Sequence, residues 1–443
     1  MKFGQRGMTL SVAFIWMVAC SRPARVATVP PPEKPELSQV ASSTGPTNET
    51  GLGGLVNPEP EPLEPADSAA LPLATPLPEL RAFYEALAQL ERGERQQAVR
   101  VMWLGDSHTA ADFMTDEVRK AMRSAAPAGG PGYVRLGLDG YRHSEVRLTS
   151  TGRFRHAPRL PAQRTRVLDG VFGYGGIRTL PQPGASVRAV LSSQYHGPVR
   201  WTLSYRLPER AAVAVQLGTQ KIELSAASGA ASEPQSVLYH ELDGDAGQEF
   251  VLKHVAGQPE IFGVFVETLS PGVVVDTVGI NGARAATVLA WERAQFAEAV
   301  RLRGVDLLVL AFGTNEIFDN ARPDRYEAHV QEIVETVREV SPELPCWIVG
   351  PPDASTEDGR SRVRVAEVTA AQRRAAVRLG CAFSSAYELM GGERSFVNWM
   401  THQPPWARGD RIHLTVAGYQ ELGRLLGASL LTPHATTVQA LAP

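Results

Sequence analysis

Residues 99–124 read VRVMWLGDSHTAADFMTDEVRKAMRS, and the changes of texture along them decide the fold. The apolar run Val99 to Leu104 reads as a buried strand. Gly105-Asp106-Ser107-His108 breaks it, a helical stretch follows from Thr109 to about Ser124, and the turn-rich AAPAGGPG of residues 125–132 ends that helix. This is a strand, tight turn, helix unit. Upstream, Leu80, Phe83, Leu87 and Leu90 recur at helical spacing and predict a helix over Pro78 to Glu94. Downstream, Val273 to Val278, Val305 to Ala311 and Cys346 to Val349 are short apolar runs, each followed by a helical stretch or a loop. A helix from Arg362 to Leu379, a strand from Cys381 to Ser384 and a helix from Val416 to Leu431 close the chain. Such alternation predicts an α/β domain with a parallel sheet covered on both faces.

Between about Tyr141 and Pro271 the texture changes. Segments such as VRWTLSYRL, AAVAVQLG, KIELSA and FGVFVETL alternate apolar and polar residues and are separated by Gly, Pro, Asp and Ser. They read as an all-β, sandwich-like block. It interrupts the α/β pattern, so it is expected as an insertion whose two ends lie close together.

The chain has 443 residues, 43% of them hydrophobic, and a formal charge of −3. That balance gives no overall basic field, and no nucleic-acid partner is expected. Cysteines stand only at positions 20, 346 and 381, with no CxxC and no Cys/His cluster, which excludes a disulfide scaffold and a structural zinc site. Cys346 and Cys381 are expected as buried free thiols, although an export compartment permits a disulfide. Thirteen of the 33 prolines fall between residues 21 and 80, which marks a tether there. Ahead of it, Lys2 and Arg6 precede the apolar run Met8 to Ala19, a signal-peptide pattern too short to span a bilayer. The run MVAC at 17–20 resembles the bacterial lipobox, with Met17 where leucine is commoner. The resemblance implies a lipidated Cys20, a membrane anchor and a catalytic domain in the periplasm or cell envelope. The expected organisation is a signal peptide over 1–19, a disordered Pro-rich tether over 20–78, a discontinuous catalytic domain over 79–141 and 271–433, and a β-rich insertion over 142–270.

Four short segments carry chemistry-bearing residues in a fixed order. Gly105-Asp106-Ser107-His108 lies at a strand end and helix start, where a serine hydroxyl and backbone N–H groups face the carboxyl edge of the sheet. Gly279-Ile280-Asn281-Gly282 and Gly313-Thr314-Asn315-Glu316 each follow a strand. Asp410-Arg411-Ile412-His413 precedes the last helix, so one loop presents a carboxylate and an imidazole. A nucleophile, a base and an orienting acid are therefore available.

In these four blocks the chain resembles the SGNH, or GDSL, family of esterases and lipases. The resemblance implies a flavodoxin-like three-layer α/β/α domain in which Ser107 is the nucleophile, His413 the general base and Asp410 its orienting partner. Gly282 N–H and the Asn315 side-chain amide would join Ser107 N–H in an oxyanion hole. No cofactor and no metal is implied. The extended first block and the β insertion before the second are most similar to peptidoglycan O-acetylesterases with an inserted carbohydrate-binding-like module. The implied substrate is an O-acylated polysaccharide such as peptidoglycan, or another small acyl ester.

Blander roles stand beside these. Ser107 is also a good helix cap, and Asn315 a good turn residue. Asp106 and His108 are expected to be structural. Trp399 and Trp406 are candidates to line a sugar or acyl site, with core packing the alternative, and Arg178 is not expected in the cleft. An O-acetyltransferase would need the same triad, and a non-catalytic glycan-binding protein would not need it at all.

Overall fold

The computed structural model describes residues 77–159, 162, 168–226 and 236–440, with side chains of the last helix described to Leu431. The expected signal peptide, the lipidation site Cys20 and the tether as far as residue 76 lie outside the described residues.

Strands β1 (Val99–Gly105), β13 (Val273–Gly279), β14 (Leu307–Ala311), β15 (Cys346–Gly350) and β16 (Ala382–Ser385) pair in parallel in the order β13-β1-β14-β15-β16. Side chains of a strand alternate between faces, and β1 uses both. Val99, Val101 and Trp103 pack with α1 (Arg81–Glu91), α3 (Phe113–Ala125), α8 (Ala386–Leu389), α9 (Ser395–Thr401) and α10 (Val416–Ala440). Met102 and Leu104 pack with α4 (Ala285–Val288), α5 (Arg293–Arg303), α6 (Pro323–Arg338) and α7 (Val363–Leu379). Helices thus cover both faces, as the alternating pattern predicts.

Three details differ from the sequence reading. The helix expected from Thr109 is two pieces, α2 (Ser107–Ala110) and α3, because Asp112 between them is left-handed at φ 57°. Its carboxylate accepts from Thr115 Oγ1, Arg119 Nη2 and Thr277 Oγ1, a set of partners that fixes the break. The last helix runs past Leu431 to Ala440. Cys346 and Cys381 are joined in a disulfide rather than left as thiols. Cys346 opens β15 and Cys381 directly precedes β16, and the register Trp347↔Ala382 sets the two cysteines side by side with Cα atoms 4.7 Å apart.

The remaining strands are antiparallel and form two further sheets. One contains β10 (Leu238–Asp245), β7 (Pro198–Arg206), β12 (Glu260–Thr268), β5 (Arg178–Pro181) and β4 (Phe154–Ala157), with β2 (Gly132–Val134) paired to β12. The other runs β3 (Val146–Thr151), β6 (Ser186–Leu191), β11 (Phe250–Ala256), β8 (Ala212–Leu217), β9 (Gln220–Ser225). Trp201 of β7 stacks on Phe250 of β11 with ring centroids 5.0 Å apart, inside the core that joins the two sheets into a sandwich. β12 is buried on both sides: Ile261, Val264 and Val266 face the sandwich core, while Phe265 packs with Tyr133 and Tyr174 into the core of the parallel sheet. The chain enters and leaves the antiparallel block side by side, with Ala128 bridged to Val273 and Thr268 N–H bonded to Gly129 O.

Candidate active site

The carboxyl ends of β13, β1 and β14 lie level, since Gly105 pairs with Gly279 on one side and with Ala311 on the other. The segments that follow them carry Ser107, Gly282 and Asn315. Ser107 begins α2, and Asp106 caps this turn by accepting from His108 N–H at 3.0 Å. The turn sits so close to β13 that a Cβ on Gly279 would lie 2.3 Å from Ala110 N, so only glycine fits there.

Ser107 Oγ lies 3.1 Å from His413 Nε2, and His413 Nδ1 lies 2.9 Å from Asp410 Oδ2. The second carboxylate oxygen, Oδ1, accepts N–H bonds from Ile412 and His413 at 3.0 and 2.8 Å. Partial burial pushes the Asp410 carboxyl up, but those N–H groups and the imidazole outweigh it and hold it below the ordinary carboxylate range. An ionised Asp410 accepts from Nδ1–H, which leaves Nε2 as the acceptor facing Ser107. The loop is closed by Arg408 N–H to His413 O, Thr415 N–H to Trp406 O and the Ala407↔Leu414 bridge. The structure therefore brings Ser107, His413 and Asp410, all three singled out in the sequence, into one hydrogen-bonded chain.

Gly282 has φ +76° in the loop after β13. Asn315 Nδ2 donates to Ala283 O at 2.8 Å, in the same loop, and one of its two N–H bonds remains available. Glu316, which the sequence reading quoted without a role, completes this clamp. Its Oε1 accepts from Ala285 N–H at 2.9 Å, and its buried Oε2 has no hydrogen-bond partner among the described residues. Arg284 and Asp319 pair through two bonds of 2.8 Å on the outer side of the loop. The side chains of Asn315 and Glu316 thus both hold the stretch that directly follows Gly282.

Two acids and a histidine lie around Ser107. Burial pushes Asp106 up to about 6 against the His108 N–H bond, and pushes Glu316 up to about 8, helped by the nearby Asp106. Burial lowers His108 to about 3, and neither of its ring nitrogens has a partner among the described residues. His108 is therefore a neutral spacer against His413 and Tyr419, with ring centroids 5.5 and 5.6 Å away. Trp399 is core: it is buried, and its Nε1 donates to Met390 O. Trp406 is half-buried and stacks on His402 at 3.6 Å. Arg178 is tied to Asp169 and Glu260 beside Arg206. Among the described residues no group of three or more His, Cys, Asp or Glu side chains is arranged to hold a metal ion.

A parallel sheet whose strand ends carry a serine, a glycine loop, an asparagine and an Asp–His loop defines an acylhydrolase of the SGNH type, and residues 254–421 match the model of the GDSL-like lipase/acylhydrolase family. The chain is a carboxylic-ester hydrolase of that kind, with its first block set apart from the other three by the β insertion. Among solved structures it is similar to a peptidoglycan O-acetylesterase, with 26% identity, a TM-score of 0.66, and 81% of this chain and 96% of that chain covered. It also matches a lipase/acylhydrolase from Enterococcus faecalis (18% identity, TM-score 0.28, 36% and 76% covered) and a family two carbohydrate esterase from Cellvibrio japonicus (11% identity, TM-score 0.28, 65% and 99% covered). No curated protein matches the sequence.

Proposed function

We propose that this protein removes O-acetyl groups from a cell-envelope polysaccharide, peptidoglycan foremost, through an acetyl-Ser107 intermediate. His413 Nε2 takes the Ser107 proton as Oγ attacks the ester carbonyl. Ser107 N–H, Gly282 N–H and Asn315 Nδ2 stabilise the oxyanion; loss of one such donor typically costs about 10²–10³ in rate. Collapse expels the sugar hydroxyl, which leaves with the proton that His413 returns. The same imidazole then activates a water that releases acetate and restores Ser107. The observation that carries this reading is the unbroken Ser107–His413–Asp410 chain at the sheet edge. Likeness to a peptidoglycan O-acetylesterase along nearly the whole of that chain, β sandwich included, supports the substrate.

Export and anchoring through Cys20 belong to the same proposal. The Cys346–Cys381 disulfide supports them, since such bonds persist in oxidising compartments. Acetate release from O-acetylated peptidoglycan, acetylated xylan and 4-nitrophenyl acetate, by the protein and by Ser107→Ala, tests the chemistry. Turnover by the wild type and its collapse in the variant are expected, and equal release by both contradicts the assignment. Membrane fractionation tests the anchor: Cys20→Ala releases the protein, and an unchanged membrane fraction rules the anchor out.

A further inference from the structure

The formal charge of −3 conceals a strongly basic stretch. Residues 142–159 hold five arginines and a single acidic residue, Glu145. Glu145 is 4% exposed and its carboxylate is already engaged by Arg123, Tyr195 and Gln194. Arg142, Arg147, Arg153, Arg155 and Arg159 are exposed, and none has a carboxylate partner among the described residues. Elsewhere in the same sandwich exposed arginines are neutralised, Arg188 by Glu249 at 3.2 Å and Arg200 by Asp243 at 2.7 Å. Within the described part of the sandwich, the unpaired arginines are therefore confined to this stretch.

Its position is set by the fold. Arg147 lies on β3, the edge of one sheet, and Arg155 on β4, the edge of the other. The turn at Gly152 and Arg153 joins them, so the arginines follow one rim of the sandwich. At its start Arg142 Nη1 donates to Ala111 O, just past the nucleophile turn, with the guanidinium 4.0 Å from the Phe113 ring centre. Beyond β4 the chain reaches Ala162, whose carbonyl accepts from Thr287 Oγ1 at 3.3 Å and whose Cβ lies 3.4 Å from where a side chain on Gly282 would begin. Arg142 thus stands on the serine side of the candidate active site, and Ala162 on the side of the Gly282 loop. A groove of about 570 Å³ opens at the start of this stretch, lined by Tyr141, Arg142, Ser144, Glu145, Arg147 and Ser193 among others.

Guanidinium groups bind carboxylates through paired, directional N–H bonds, and hydroxyls and an aromatic edge suit a sugar. Like charges left unpaired on one rim repel each other until a polyanion neutralises them. We propose that this rim is a binding track for a carboxylate-bearing polysaccharide, which makes the ester substrate an acidic glycan rather than a neutral one. The inference rests on the ester-hydrolase reading of Ser107 for what is cleaved, but not for what is bound.

The test compares the full-length protein with R147E/R153E/R155E, none of which belongs to the catalytic machinery. Turnover of 4-nitrophenyl acetate is expected to be unchanged in the variant. On O-acetylated peptidoglycan and on acetylated polygalacturonate, which separate peptide from uronate carboxylates, kcat/KM is expected to fall about tenfold or more, through KM, with wild-type activity sensitive to salt. On acetylated glucomannan the two proteins should agree. Binding of de-esterified polygalacturonate, measured by calorimetry, should be present in the wild type and lost in the variant. Equal binding by both, or equal kcat/KM on both acidic esters, overturns the track. So does tighter wild-type binding to vesicles of anionic phospholipid than to polygalacturonate. Failure of the wild type on 4-nitrophenyl acetate overturns the esterase reading instead, and the binding measurement still decides the track.

Discussion

In the proposed mechanism an oxyanion forms beside the Gly282 loop, and a carboxyl buried there must be neutral if it is not to oppose that charge. Glu316 meets this condition at neutral pH, since burial raises it to about 8 while its Oε1 holds Ala285 N–H. A group raised in the folded state contributes stability that is full below its unfolded value near 4.5 and is lost as pH rises through about 8. Wild type is therefore expected to lose melting temperature relative to Glu316→Gln between about pH 5 and about pH 8, and parallel melting curves across that range would contradict the buried neutral acid. Ser107, Asn315, Asp410 and His413 were legible in the sequence because each sits in a contiguous block with a recognisable residue order. The role of Glu316 was not, because it depends on an N–H of α4 that the chain reaches only on folding.

The Asp410–His413 loop is held from outside as well as within. Trp406 O accepts from Thr415 N–H, and the first turn of α10 presses on the same carbonyl, so that a Cβ on Gly418 would lie 1.8 Å from it. Gly418→Ala must move the backbone that carries the Asp410–His413 loop. It is expected to lower the melting temperature by the equivalent of about 1–3 kcal/mol and to lower kcat by up to about 10²-fold. An unchanged kcat would show that the loop keeps its place without this contact. Element types were legible from periodicity, as in Val99–Gly105 and in the Leu80, Phe83, Leu87, Leu90 face of the first helix. The break at Asp112 was not, since its partners Arg119 and Thr277 lie a helix and a domain insertion away.

At the scale of the molecule, the parallel sheet supplies a level edge, and the inserted sandwich is locked onto the segment that follows Ser107. Arg142 reaches Ala111 O, Ser144 N–H reaches Asp112, and β12 shares its Phe265 with the core of the parallel sheet. The switch of texture near residues 141 and 271 announced the insertion, because period-two alternation is a property of short segments. Its docking was hidden, because the contacts that make it join residues from distant parts of the chain. Whole-chain charge likewise averaged away the arginine rim, which only the fold gathers beside the site. The proposed mechanism requires a covalent acetyl at Ser107. Peptide mass spectrometry of protein acid-quenched during turnover of an acetyl ester tests it most directly. One acetyl group is expected on the peptide containing Ser107 in the wild type and none in Ser107→Ala. Turnover with no acetylated Ser107 peptide, or with the acetyl group on another residue, would contradict it.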